Sequence, residues 1–143
     1  MTSTAVSSQK TKICQNIGTA DAPSWQPVKN ASAFDGFGGS APDIDVTDFD
    51  SDAKEYRPGL QDWDTITFDI NVNMKEPSHT MLLADKKARK LRLYQVTLSD
   101  GSTMAFEGYV KSFPMSGAVD NVYKAKIVVK ITGDVDVTVA DAA

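Results

Sequence analysis

Three aspartates at alternate positions, Asp48, Asp50 and Asp52, have the spacing with which a calcium-binding loop begins. Such a loop also needs a glycine at its sixth position, for a sharp turn, and a bidentate glutamate at its twelfth. Those positions hold Ala53 and Gly59 in this chain. We therefore interpret the aspartates as a solvated acidic segment whose carboxylates bond neighbouring backbone or lysines.

The other residues that could do chemistry do not form a catalytic set. The sequence has one histidine, His79, and one cysteine, Cys14, which cannot supply a nucleophile, a base and an orienting group together. No lysine–serine pair and no helix start follow the glycines at 36, 38 and 39, so these glycines predict a turn instead of a phosphate loop. We expect no enzymatic activity, no metal and no cofactor.

Length and charge limit the class of protein further. With 143 residues the chain fits one domain, and its single cysteine cannot close an intrachain disulfide. The net charge of −4 argues against a surface that wraps nucleic acid, and the basic run at 86–92 is interpreted as a solvated helix end. No apolar run has the length of a signal peptide core or a membrane span, so we expect a soluble protein without membrane contact.

The strongest structural signal is a strictly alternating segment at 65–73, the period of two expected of a half-buried strand. Its apolar side consists of Ile66, Phe68, Ile70 and Val72, and its polar side of Thr65, Thr67, Asp69 and Asn71. A second alternating run, at 121–133, predicts another such strand.

Between and before these strands, the sequence predicts one helix and one hairpin. Ser78 could cap a helix that ends in the lysines up to Lys90, and the runs at 91–98 and 102–113 flank a turn. The predicted fold is mainly β, an antiparallel barrel or sandwich of about six to seven strands with one short flanking helix. We divide the chain into an extended N-terminal arm at 1–20, a single domain at 21–133, and a C-terminal tail at 134–143.

The segment at 47–63 is unusual because it is long, charged and without helix or strand pattern. Connections above about 12 to 15 residues are uncommon in compact domains, and a solvated loop has little reason to carry aromatic and aliphatic side chains. We interpret it as a docking element with apolar anchors among opposed charges. The residues predicted to contact neighbouring subunits are Asp48, Phe49, Asp50, Lys54, Glu55, Tyr56, Arg57, Pro58, Leu60 and Trp63.

The order of these segments resembles the tail tube (major tail) proteins of long-tailed, siphophage-type bacteriophages. The resemblance covers about residues 24–133. Its most specific part is 46–60, with a Lys–Glu pair at 54–55 and Pro-Gly-Leu at 58–60, and a further match is the F-x-G-Y-V element at 106–110.

This resemblance implies a structural virion protein that assembles into six-membered rings stacked as a hollow tube, through which DNA is delivered to the host. The implied partners are copies of itself, a tape-measure protein, a tail terminator and a distal tail protein, with DNA passing through the lumen without specific binding. The implied location is the virion tail, after assembly in the bacterial host cytoplasm. The inner tube of a contractile system is a related possibility that the sequence leaves open.

The polar side of the strand at 65–73, with Thr65, Thr67, Asp69 and Asn71, is predicted to line the lumen or its margin. Carboxylates on such a face would repel phosphate and let DNA slide. The alternative function is a β-sandwich binding module, for instance for carbohydrate, that uses Trp25, Trp63 and the loop carboxylates without polymerising.

Overall fold

The computed structural model describes residues 3–19 and 21–140. In these residues the chain forms ten β-strands and one α-helix. The strands are β1 (Lys12–Asn16), β2 (Trp25–Pro27), β3 (Ala31–Gly36), β4 (Asp43–Asp45), β5 (Tyr56–Pro58), β6 (Thr65–Asn71), β7 (Arg92–Thr97), β8 (Thr103–Ser112), β9 (Met115–Ser116) and β10 (Lys124–Thr138). The helix α1 (Pro77–Ala88) lies between β6 and β7.

Eight of these strands form one antiparallel sheet in the order β2-β1-β7-β8-β10-β6-β3, with β9 pairing to β10. The edge strands β2 and β3 are joined by only residues 28–30. That connection spans at most ~14 Å, whereas the edges of a flat sheet of seven strands would lie ~29 Å apart. The sheet must therefore curl, although within residues 3–19 and 21–140 β2 and β3 do not pair to close a barrel.

The core lies between the concave side of the sheet and α1. The alternation predicted for β6 is present, since Ile66, Phe68 and Ile70 are buried while the residues between them are half-buried. From β10, Ile127 and Val129 pack into the same core, and the helix contributes Leu82. Burying such side chains supplies most of the favourable free energy of folding.

The start of α1 is tied to the connection between the sheet edges. The Oγ of Ser78 accepts a hydrogen bond from the backbone N–H of Lys29 at 3.2 Å. The ring of His79 is buried; its Nδ1 accepts from the N–H of Asn73 at 3.0 Å, so its Nε2 carries the proton and donates to the carbonyl of Lys29 at 2.5 Å. The prediction that Ser78 caps the helix is wrong, because Glu76 is the N-cap and makes no side-chain cap bond.

A buried ion pair joins the other end of α1 to the sheet. Arg92 donates from Nε and Nη2 to the carboxylate of Asp85 at 2.5 and 3.0 Å, and from Nη1 to the carbonyl of Asn16 at 2.8 Å. The hydrogen bonds to Asp85 raise the pKa of the Arg92 guanidinium. Helix, β7 and β1 are therefore joined at one guanidinium.

The predicted fold class is confirmed, since the chain is mainly antiparallel β with one helix and contains the β7–β8 hairpin. The predicted strand number is too low because strands of two or three residues, such as β2 and β9, are too short to show periodicity.

The proposed arm and tail are each partly wrong. Residues 12–16 form β1 within the sheet, where the polar residues Gln15 and Asn16 are buried and donate from their side-chain amides to the carbonyls of Ser78 and Thr19, which hides the strand's period. The last strand continues to Thr138 because Gly133, at φ 80°, allows a bulge after which pairing with β8 resumes. Within the arm and tail, residues 1, 2, 20 and 141–143 lie outside the described part.

Candidate assembly interface

Strands β4 and β5 form a separate two-stranded antiparallel sheet, with Asp43 opposite Pro58 and Asp45 opposite Tyr56. We name residues 43–58 the acidic ribbon, because they hold six carboxylate residues and two cationic ones. The predicted patternless segment at 47–63 therefore contains a strand, β5. That strand has only three residues and ends in proline, so its sequence carried no strand signal.

Every hydrogen bond and ion pair that the described structure shows for the acidic ribbon stays within the ribbon. The Asp48 carboxylate accepts from the N–H of Asp50 at 3.0 Å and from the Oγ of Ser51 at 3.1 Å. The Oγ1 of Thr47 accepts from the N–H of Glu55 at 2.8 Å. These contacts shape the tip without connecting it to the body of the domain.

The acidic ribbon and the residue next to its base expose large apolar side chains. Phe49 is fully exposed, Leu60 is 91% exposed and Tyr56 is 56% exposed. The charged and proline residues predicted to contact neighbours are exposed as well: Asp48, Asp50, Lys54, Glu55, Arg57 and Pro58. Large apolar side chains exposed along an uncovered projection are typical of a protein–protein contact surface.

Trp63, in contrast, packs on the body of its own chain. Its indole Nε1 donates to Oδ1 of Asp134 at 2.9 Å. Its ring meets that of Phe37 edge-on at 6.5 Å, and Phe37 meets the core residue Phe106 at 5.5 Å. Trp63 therefore holds the base of the ribbon, and we withdraw it from the predicted intersubunit contacts.

Further contacts fix the ribbon's base. The backbone passes Gly39 so closely that an added Cβ would lie 1.7 Å from the carbonyl oxygen of Asp62. Lys130 Nζ lies 3.5 Å from the carboxylate of Asp62 and 3.6 Å from that of Asp64. The N–H of Asp64 and then the charge of Lys130 hold the pKa of Asp62 below its usual value. A fixed base sets the direction in which the ribbon projects.

The four residues predicted to line a lumen lie together on the side of β6 that faces away from the core. They are the half-buried residues Thr65, Thr67, Asp69 and Asn71. In register beside them on β10 lie Lys130 opposite Thr65, Lys126 opposite Asp69 and Lys124 opposite Asn71. The expected carboxylate-lined face is therefore wrong for these two strands, which present a mixed face.

The structure does not join the two tryptophans considered for a carbohydrate site. Trp25 belongs to the edge strand β2, whereas Trp63 lies beside β10. In the described residues, the aromatic partner of Trp63 is Phe37. Stacking on sugar by both rings at one site has no support here.

Among residues 3–19 and 21–140, no helix has the length and hydropathy needed to cross a membrane.

Comparison with known sequences links the chain to phage tails. A family model described as phage tail tube, TTP, lambda-like, matches residues 4–141. Structural protein 3 of Pseudomonas phage PAJU2 is 28% identical over an alignment of 137 positions, and the match covers 78% of this chain and 84% of that protein.

Comparison with solved structures gives the same fold. A chain from the tail of an empty gene transfer agent particle, refined with C6 symmetry, superposes with a TM-score of 0.73 at 11% identity, covering 94% of this chain and all of that one. The SPP1 tail tube gives a TM-score of 0.70 at 12% identity, covering 90% and 77%. A chain of the sheath–tube complex of the extracellular contractile injection system PVC gives 0.73 at 11%, covering 96% and 93%.

Proposed function

The chain belongs to the lambda-like phage tail tube family, and from this premise we propose that its acidic ribbon docks on neighbouring copies to build six-membered rings. The rings stack into the hollow tube of a siphophage-type tail, and DNA passes through the lumen to the host. Subunits assemble in the bacterial cytoplasm around a tape-measure protein. A tail terminator and a distal tail protein meet the two ends of the tube.

The observation that carries this proposal is the isolation of the acidic ribbon. Phe49, Tyr56 and Leu60 are exposed on or beside a projection whose polar groups bond only to one another. Exposing these side chains does not stabilise a single molecule. A second copy of the chain that covers them removes apolar surface from water, which lowers the free energy of the assembly. Closed rings also cover the free edges of the sheet at β2 and β3.

The lumen-facing role of Thr65, Thr67, Asp69 and Asn71 is part of the same proposal. On this face Lys126 lies opposite Asp69, and Lys130 is paired with Asp62 and Asp64. Local pairing of this kind leaves no unbroken basic track along which phosphates would bind. The proposal includes no catalytic step, and burial of both Cys14 and His79 supports this.

The test compares the wild-type protein with the double variant Tyr56→Ser/Leu60→Ser at high concentration, by electron microscopy and sedimentation velocity. Wild-type protein should form rings or tubes of constant diameter, and the variant should remain a folded monomer with an unchanged thermal midpoint. Val119→Ser, which alters another highly exposed apolar residue, is the matched control and should assemble normally. Wild-type protein that stays monomeric at every concentration would contradict the proposed function.

A further inference from the structure

A cluster of cations lies where α1 ends and β7 begins. The chain places Lys86, Lys87, Arg89 and Lys90 there, all exposed. We name them, together with Leu91, the basic patch. The acidic residue next to them in sequence, Asp85, is buried and bound to Arg92. Within residues 3–19 and 21–140, none of the four cations forms an ion pair.

The backbone holds the basic patch in a fixed shape. Arg89 adopts the left-handed conformation, with φ 54°, and ends the helix. The N–H of Lys90 then donates to the carbonyl of Asp85 at 3.1 Å, which is a typical helix-terminating bond. The backbone positions from which the four cationic side chains extend are therefore fixed by the way the helix ends.

The basic patch also has an apolar part. Leu91 is 50% exposed and Ile17 is 46% exposed. A shallow groove beside them is lined by Asn16, Gly18, Lys90, Leu91, Leu93 and Glu107. The basic patch therefore resembles the acidic ribbon in combining exposed apolar side chains with charged ones, but its charges are positive.

The two charged surfaces are attached to different strands of the sheet. The acidic ribbon leads into β6 and the basic patch leads into β7, with β8 and β10 between these two strands. A contact between the ribbon of one copy and the patch of the next is heterologous. Such contacts repeat from copy to copy and generate rings or filaments.

We propose that the basic patch is the receiving surface for the acidic ribbon of a neighbouring copy of this chain. The inference rests on the proposed function and adds the second half of the contact. The ribbon carries six carboxylates and two cations, so it is acidic overall, and in this contact it faces the four cations of the patch. Complementary charges of this kind fix partner and register, and the apolar side chains on both surfaces supply the burial. A second occupant, nucleic acid, would use the cations alone.

The first test exchanges the charges. Lys87→Glu/Lys90→Glu and Asp50→Lys/Asp52→Lys should each raise the protein concentration needed for assembly by about tenfold or more, since like charges then face each other. Carrying all four substitutions in one chain should restore assembly. The matched control, Lys29→Glu/Lys75→Glu, makes the same charge change at two exposed lysines elsewhere and should assemble like wild type. Thermal unfolding of each monomer shows whether it is folded.

The second test is direct and needs no variant. Carbodiimide joins carboxylates to lysines at zero length, and mass spectrometry of treated wild-type tubes should find intermolecular links between 43–58 and 86–90. Tubes that lack these links, or a patch variant that assembles normally, would overturn this inference while the tube function stands. A patch variant that assembles normally but no longer binds duplex DNA would assign the patch to nucleic acid. Wild-type protein that forms no tubes would instead remove the proposed function itself.

Discussion

The indole Nε1 of Trp63 donates a hydrogen bond to Oδ1 of Asp134 at 2.9 Å, and the same oxygen accepts the N–H of Val135 at 2.8 Å. This bond joins the base of the acidic ribbon to the bulge that follows Gly133 in β10. The longest strand of the sheet and the projecting ribbon are therefore one structural unit. Changes at this joint should alter assembly through the direction of the ribbon.

Replacing Trp63 by phenylalanine keeps most of the contact with Phe37 but removes the hydrogen bond. We expect a loss of about 1 kcal/mol in the free energy of unfolding, measured by urea denaturation, together with weaker assembly. Asp134→Ala should cost more, because it also removes the acceptor of the Val135 N–H, and a double-mutant cycle between the two positions should give a coupling of about 1 kcal/mol. Asp136→Ala, at an exposed position on the same strand, is the control. A coupling of zero would contradict the structural role of this bond.

Phe68 and Ile127 lie at the centre of the core, so their truncation should affect folding directly. Phe68→Ala should lower the free energy of unfolding by about 3 to 5 kcal/mol, and Ile127→Ala by about 2 to 5 kcal/mol, because each leaves a cavity. Denaturant unfolding of the monomer measures both values. The ribbon variant Tyr56→Ser/Leu60→Ser should show no comparable loss. A similar loss in that variant would place the ribbon in the core and contradict the assignment.

The buried ion pair of Asp85 and Arg92 predicts a large loss of stability when only one of its partners is removed. Arg92→Leu leaves a buried carboxylate without its partner and should cost about 3 to 5 kcal/mol of stability. The double variant Asp85→Leu/Arg92→Leu should be more stable than Arg92→Leu alone, because the uncompensated charge is gone. Chemical denaturation of wild type, Asp85→Leu, Arg92→Leu and the double variant provides the measurement. Simple additivity of two destabilising effects would show that the pair is not coupled.

Asp62 predicts a dependence of stability on pH. Its pKa in the folded protein is lowered by the N–H of Asp64 and by Lys130. A lowered folded-state pKa stabilises the fold above the ordinary aspartate pKa of about 3.9, and this contribution is lost as the pH falls through the folded-state value. Because Asp62 is exposed, the effect should be small.

Thermal midpoints of wild type and Asp62→Asn should therefore differ above about pH 4 and converge in more acidic solution. Asp21→Asn, at another exposed aspartate, is the control for the loss of one charge. A difference between wild type and Asp62→Asn that grew on acidification would have the wrong sign and would contradict the assigned cause.

The predictable parts of the fold are those in which neighbouring residues determine the structure. The strands β6 and β10 are predictable from the alternation of apolar and polar residues. The exposure of Phe49 and Leu60 is predictable because both lie in a long charged segment without helix or strand pattern. The strand β1 was missed because its buried Gln15 donates to the carbonyl of Ser78, 63 positions away.

Contacts between residues far apart in the sequence also explain the outcome for Trp63 and Arg92. The partner of Trp63 is 71 positions away in the sequence, so its role in fixing the ribbon has no local signal. The basic run at 86–92 was interpreted as a solvated helix end, which holds for the exposed cations at 86–90 but not for Arg92, whose side chain is bound to the buried Asp85. Contacts of this kind become visible only when the chain is folded.

A density map of the assembled protein from electron cryomicroscopy tests the central claim most directly. The account predicts a hollow tube in which Phe49 and Leu60 of each subunit are buried against another copy of the chain. The lumen is then faced by Thr65, Thr67, Asp69 and Asn71. A map in which the acidic ribbon stays solvated, with the copies held together by other surfaces, would contradict it.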